Sequence, residues 1–403
     1  MARRLVLLAP LLALASGATH PAALSAAGQG ITRTYYIAAD EVVWDYAPSG
    51  SNATEGRPFN AFEKPWMEAG PHVAGRKAKK AIYREYTDAT FAALKPRPAE
   101  WEHLGFLGPL VRAEVGDTIK IVFRNNAKFA AAVHPHGVLY NKDSEGANYN
   151  DGSSGGDKAD DAVPTGGTHT YTWEVPERAG PTAHEGSSAF WMYHSHNDEI
   201  RDVASGLIGP LIITRKGMAR PDGSPTDVDR ELVAGFIEVD ENHSWYVEEN
   251  IKTYTTDPDG TWIDRSPFGD MTVSAAPRRP GLAGTAAVLE PMPDPSAIGP
   301  AYGTWFKETI NGYSYGHTPG LTMKKGQRVR WYLMGSTNFE FHSPHWHGNV
   351  VDANHMRTDV GMLLPMGMFV ADMVPDNPGK WLFHCHVSAH LRMGMQAFYT
   401  VEP

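Results

Sequence analysis

Short runs in which apolar and polar residues alternate dominate this chain. Thr118-Ile119-Lys120-Ile121-Val122-Phe123 and Arg328-Val329-Arg330-Trp331-Tyr332-Leu333 carry the period of two expected of strands with one buried face. Apolar recurrence at helical spacing is scarce, and 40 glycines and 30 prolines break the runs. The pattern predicts an all-β sandwich, and it predicts it twice. Pro109-Leu110-Val111-Arg112-Ala113-Glu114-Val115-Gly116-Asp117, a strand, and His134-Pro135-His136-Gly137 return as Pro319-Gly320-Leu321-Thr322-Met323-Lys324-Lys325-Gly326-Gln327, a strand, and His345-Trp346-His347-Gly348. Phe190-Trp191-Met192-Tyr193-His194-Ser195-His196 returns as Lys380-Trp381-Leu382-Phe383-His384-Cys385-His386. Each copy closes on an apolar strand, at 207–214 and 396–401. Two homologous β domains are expected, 30–218 and 225–403, with a surface loop at 255–300 and a smaller one at 141–168.

Composition narrows the setting. At 403 residues the chain can fill two cores. A net charge of −10, with no basic run, argues against a nucleic-acid partner. Arg3 and Arg4, an apolar run over residues 5–15 and then small residues read as a leader for export, cleaved after Ala18 or Ala27. The product would be secreted or periplasmic. No later apolar run is long enough to span a bilayer. Export permits disulfides, yet the sequence has one cysteine, Cys385. A lone thiol in an oxidising compartment needs an occupant, and copper would serve.

Cys385 lies between His384 and His386, with His390 and Met395 beyond. Thiolate, imidazole and a weak thioether form an electron-transfer copper set. Strand alternation turns His384 and His386 away from the face that Cys385 uses, toward different metal. Four His-x-His pairs, at 134/136, 194/196, 345/347 and 384/386, supply eight imidazoles, enough for a three-copper cluster shared between domains. Repeat alignment gives the second domain His342, Cys385, His390 and Met395, and sets Ala131, Ser195, Ile200 and Ser205 against them in the first. The first domain therefore keeps half of the cluster and lacks the electron-uptake site.

These motifs resemble the multicopper oxidases over nearly the whole mature chain. Asp143-Ser144-Glu145-Gly146-Ala147-Asn148-Tyr149 and Ser205-Gly206-Leu207-Ile208-Gly209-Pro210-Leu211 are most similar to the ceruloplasmin and hephaestin branch, whereas the size is similar to two-domain bacterial laccases. The resemblance implies two tandem cupredoxin-like Greek-key β-sandwich domains and four coppers. It assigns His342, Cys385, His390 and Met395 to type 1 copper, and His134 and His345 to type 2. It assigns His136, His194, His196, His347, His384 and His386 to the type 3 pair. Electrons would pass one at a time from a reductant through Cys385 to the cluster, where dioxygen becomes water. Glu145 and Asp359 stand where a proton relay is expected; a ligand-orienting or solvated role is the plainer reading of each.

The resemblance also implies assembly. Three two-domain chains supply the six domains of the larger relatives, so a homotrimer is expected, with each cluster between neighbouring subunits. The leading expectation for activity is a laccase-like oxidation of phenols and aromatic amines. A second is oxidation of Fe(II) or Cu(I), for which the discriminator is a carboxylate cluster beside His390 or His342. The methionines Met356, Met362, Met366, Met368, Met373 and Met393 suit Cu(I), though as strand packing they need no such role. A carrier would not need eight paired histidines, and a copper nitrite reductase would place its mononuclear copper in the first domain. His169, His184, His317 and His355 lack paired spacing and read as structural or exposed.

Overall fold

A computed structural model describes residues 30–71, 73–257, 305–335 and 340–403. The leader, and the 255–300 loop beyond Asp257, lie outside the described residues. Eight strands form the N-terminal half: β1 (Thr32–Asp45), β2 (Lys77–Tyr86), β3 (Val111–Glu114), β4 (Thr118–Asn125), β5 (His134–Pro135), β6 (Thr168–Glu174), β7 (Ser188–His194) and β8 (Ile208–Thr214). They make two four-stranded sheets, β2-β1-β4-β6 and β3-β8-β7-β5. The C-terminal half holds β9 (Arg230–Asp240), β10 (Phe306–Ile310), β11 (Thr322–Lys324), β12 (Val329–Gly335), β13 (Pro344–Trp346), β14 (Val351–Ala353), β15 (Met356–Thr358), β16 (Met368–Met373), β17 (Gly379–Cys385) and β18 (Gln396–Glu402). Its sheets are β10-β9-β12-β16-β14-β15 and β11-β18-β17-β13. With the β14–β15 hairpin set aside, the second order is the first repeated strand for strand. Even the parallel pairs recur: β1 with β4 and β3 with β8, then β9 with β12 and β11 with β18. The chain is thus two tandem cupredoxin-like sandwiches, and the α-helices among the described residues are four short ones: α1 (Lys64–Met67), α2 (Glu199–Ser205), α3 (Val247–Tyr254) and α4 (Ser388–Met393).

Alternation sets the facing of β4 and β18, where buried positions recur every second residue. It fails in β8 and β12, which are buried along their whole length. Trp331 and Leu333 enter the core of their own sandwich, while Tyr332 and Met334 pack on Phe190, Ile208 and Ile212 of the other half. Burying such a side chain contributes roughly 1.5–3 kcal/mol. Several polar residues caught in this layer bond one another. Arg112 donates to both oxygens of Glu231 (3.0 and 2.8 Å), Tyr332 donates to Glu231 (2.8 Å), and Arg330 reaches Ser187 and Ser188 across the halves (3.0 and 2.9 Å).

Candidate metal centres

The pair β13–β17 places the C-terminal histidines. Pro344 pairs with Cys385 and His345 with His384, so His345 and His384 share one face and Cys385 takes the other. On that other face Cys385 Sγ lies 3.6 Å from His390 Nδ1, and the Nδ1 atoms of His342 and His390 are 3.2 Å apart. His342 is brought in by a two-way backbone pairing with Leu363 (2.8 Å each way). His390 stands in α4, and Met395 follows that helix, its amide bonded to the His390 carbonyl (2.9 Å). Cys385, His342 and Met395 are fully buried. Burial pushes His342 down to about 3, so its imidazole is neutral, and pushes the Cys385 thiol up. The Ser343 N–H donates to Sγ at 3.3 Å. Two neutral imidazoles and a buried thiol converge on one point with a thioether in the same core; this donor set fits copper.

Facing away, His345, His347, His384 and His386 form a ring-contacting quartet, with centroids 4.7–5.7 Å apart. His134, His136, His194 and His196 form its counterpart at 5.2–5.6 Å. In each, two Nε2 atoms point at one another: His136 and His194 at 3.1 Å, His347 and His384 at 3.0 Å. Burial first, then neighbouring imidazoles, push His136 and His384 down to about 4. Neutral rings with converging nitrogens are what a cluster of copper ions takes as ligands. Among the described residues no ring contact joins one quartet to the other.

Glu145 and Asp359 act on this geometry through their main chains. His134 Nδ1 bonds the Glu145 carbonyl (2.6 Å) and His345 Nδ1 bonds the Asp359 carbonyl (2.9 Å). Each contact leaves Nε2 directed at its quartet. The Glu145 carboxylate itself accepts from Lys142 (2.5 Å) and Tyr149 (2.9 Å), and the Asp359 side chain is exposed. The isolated histidines divide: His169 and His317 bond backbone carbonyls, and His184 meets His355 at a 6.1 Å ring contact between the halves.

The matching pocket of the N-terminal half differs from the sequence alignment in two positions. Ser195 N–H donates to Leu207 O as Cys385 N–H does to Met395 O, both at 3.1 Å. Leu207 N–H donates to Asp202 O (3.1 Å) as Met395 N–H does to His390 O (2.9 Å). The counterparts of His390 and Met395 are therefore Asp202 and Leu207, not Ile200 and Ser205. The stretch from Ser195 to Asp202 is two residues longer than that from Cys385 to His390, one residue before the helix and one within it, which an ungapped count misses. Ala131 keeps its place opposite His342, since it pairs with Val163 as His342 pairs with Leu363.

A third acidic group escaped the sequence reading. Glu238 of β9 and Glu308 of β10 stand directly opposite each other in register. One donor atom each from Glu238, Glu308 and His390 lie within 4.8 Å of one another, and Glu340 Oε2 is 3.9 Å from His390 Nε2. Like charges opposite one another destabilise a sheet. Burial and the Glu238 charge hold the Glu308 carboxyl well above its usual range, and its Oε2 is buried without a hydrogen-bond partner. A glutamate inside a short buried strand, in Lys307-Glu308-Thr309-Ile310, was the available signal; its partner across the sheet was not visible.

Two family models, each described as multicopper oxidase, match residues 101–217 and 290–403, together more than half of the chain. This chain belongs to the multicopper oxidases. It is 41% identical over 376 residues to Ferroxidase HEPHL1 of Homo sapiens, covering 92% of this chain and 29% of that protein. It is 38% identical to Hephaestin of Rattus norvegicus (93% and 30% covered) and 38% identical to Ceruloplasmin of Rattus norvegicus (91% and 31%). This multicopper oxidase thus spans under a third of the length of these curated relatives. A crystal structure of a multicopper oxidase shares the fold at a TM-score of 0.52 and 17% identity, over 93% of this chain and 90% of that one. Among the described residues no helix is long and apolar enough to cross a membrane.

Proposed function

We propose that this multicopper oxidase is a metal-ion oxidase that takes electrons from Fe(II) and delivers them to dioxygen. The carrying observation is the Glu238–Glu308–Glu340 group beside His390. His390 has one nitrogen toward Cys385 and the other toward Glu340, so it spans the carboxylates and the thiol pocket. Oxygen donors select a hard cation over Cu(I). A divalent substrate ion there would displace the proton that the Glu238–Glu308 pair holds and engage the buried Glu308 Oε2. The name of the human relative, a ferroxidase, supports the same reading.

In this proposal His342, Cys385, His390 and Met395 hold a type 1 copper; His134 and His345 hold a type 2 copper; His136, His194, His196, His347, His384 and His386 hold a type 3 pair. When bound, copper supplies one-electron uptake and four-electron reduction of dioxygen. The protein residues do the rest. Glu238 and Glu308 bind and orient the substrate ion, burial keeps the ligand imidazoles neutral, and the carbonyls of Glu145 and Asp359 aim His134 and His345. The carboxylates of Glu145 and Asp359 remain the proposed proton suppliers. Each half, 30–218 and 225–403, is proposed as a domain. Since the quartets of one chain make no ring contact, a homotrimer that pairs quartets of neighbouring subunits accounts for a complete cluster, in a protein exported from the cell.

Oxygen uptake by the copper-loaded protein on Fe(II), Cu(I) and a dimethoxyphenol tests this. Fe(II) should give the highest kcat/KM. A phenol oxidised faster than Fe(II) would restore the laccase-like reading.

A further inference from the structure

The first half retains the backbone frame of a copper pocket, with Ala131, Ser195, Asp202 and Leu207 in the places of His342, Cys385, His390 and Met395. Its two polar members are bonded to each other: Ser195 Oγ donates to Asp202 Oδ2 at 2.6 Å. Both are fully buried. Ser195 Oγ also accepts from the Ala132 N–H at 2.9 Å, the place where Cys385 Sγ accepts from the Ser343 N–H at 3.3 Å. Asp202 takes two further donors, the Asp198 N–H (3.0 Å) and the Trp245 indole N–H (2.8 Å). A carboxylate, which only accepts, satisfies all three donors at once. Ser195 stands between His194 and His196, and its carbonyl bonds His194 Nδ1 at 3.1 Å, as the Cys385 carbonyl bonds His384 Nδ1 at 2.7 Å. Trp245 follows β9, so Asp202 also ties α2 to the segment that leads from the carboxylate strand.

We propose that the Ser195–Asp202 hydrogen bond is a metal-free clamp, in which Asp202 is the positioning residue that holds His194 and His196 in the arrangement that a copper–thiolate bond imposes on His384 and His386. The comparison with the second half rests on the copper assignment above; the clamp does not. One half of the cluster is then built before any metal binds. In the second half the matching atoms, Cys385 Sγ and His390 Nδ1, stand 3.6 Å apart, and the mononuclear copper would supply the counterpart of the clamp.

Amide hydrogen exchange on the full chain, with and without copper, tests this. Removing copper should speed exchange at Ser343, Cys385 and Met395 by about tenfold or more, and leave Ala132, Ser195 and Leu207 unchanged. Asp202→Ala should speed exchange at Ala132, Ser195 and Leu207 by a similar factor. It should also weaken the near-ultraviolet band of the coupled copper pair while the visible copper–thiolate band persists. Asp202→Asn keeps one acceptor for Ser195 and should fall between. If Asp202→Ala does not fold, Ser195→Ala removes only the hydroxyl and should give the same exchange pattern. Protected Ala132 and Ser195 amides with an unchanged near-ultraviolet band would overturn the clamp. A wild-type chain that binds no copper would overturn the functional reading instead, and the exchange of the metal-free variants would still decide the clamp.

Discussion

The two halves of this protein are one fold with two chemistries. At the turn after β17, a thiol and two imidazoles converge, and a thioether closes the pocket. At the turn after β7, the same backbone bonds surround a serine hydroxyl, a carboxylate, an alanine and a leucine. The first pocket is complete only with a cation, because neutral imidazoles and a buried thiol have lone pairs directed at each other. The second is complete as it stands, because Asp202 accepts every donor around it. In the proposed reading one sandwich serves as an electron site and the other as a rigid scaffold, according to four side chains. The histidine quartets, on the opposite face, are the same in both.

The largest effect that can break this comparison is expected at the cysteine. Cys385→Ser should lose the visible copper–thiolate band and fall to background oxygen uptake on any reductant, whereas Ser195→Ala should keep the band. Retained turnover in Cys385→Ser would make the two pockets equivalent and the account wrong. Next comes the joint between the halves. Glu231→Gln removes the charge and one of the two acceptors facing buried Arg112 and should cost about 3–5 kcal/mol, read by denaturant unfolding. A change below 1 kcal/mol, on the order of a surface pair, would show that the halves are held by the apolar layer alone. A symmetric test follows. Gly137 and Gly348 have φ of +81° and +75°, and an added Cβ would lie 2.4 Å from Trp191 and 2.6 Å from Trp381. Gly137→Ala and Gly348→Ala should each cost about 2 kcal/mol or more in a thermal melt; unequal costs would show that the matched turns are not equally packed. The smallest effect separates substrates. Glu308→Gln should raise KM for Fe(II) on the order of tenfold and leave a phenol's KM unchanged; equal changes would remove the carboxylates from substrate binding.

Much of this was legible in the sequence. The period of two marked β4 and β12, and the repeated His-x-His motifs marked both quartets and the strands that carry them. What escaped has physical causes. Arg330 and Tyr332 are buried against the other half, and a strand pattern cannot show that a second sandwich covers that face. Asp202 was passed over because two extra residues in the stretch from Ser195 shift it against its counterpart. Glu238 and Glu308 are 70 positions apart and meet only through the β9–β10 register. The roles of Glu145 and Asp359 in aiming histidines lie in their carbonyls, which any residue possesses and no side-chain pattern reveals.

The most direct measurement is the location of copper, by anomalous diffraction at the copper edge from loaded crystals. The account predicts a peak among His342, Cys385, His390 and Met395, and no peak among Ala131, Ser195, Asp202 and Leu207. It further predicts a cluster of peaks where a quartet of one chain meets the other quartet of a neighbour. Copper in the N-terminal pocket, or an empty site at Cys385, would contradict it.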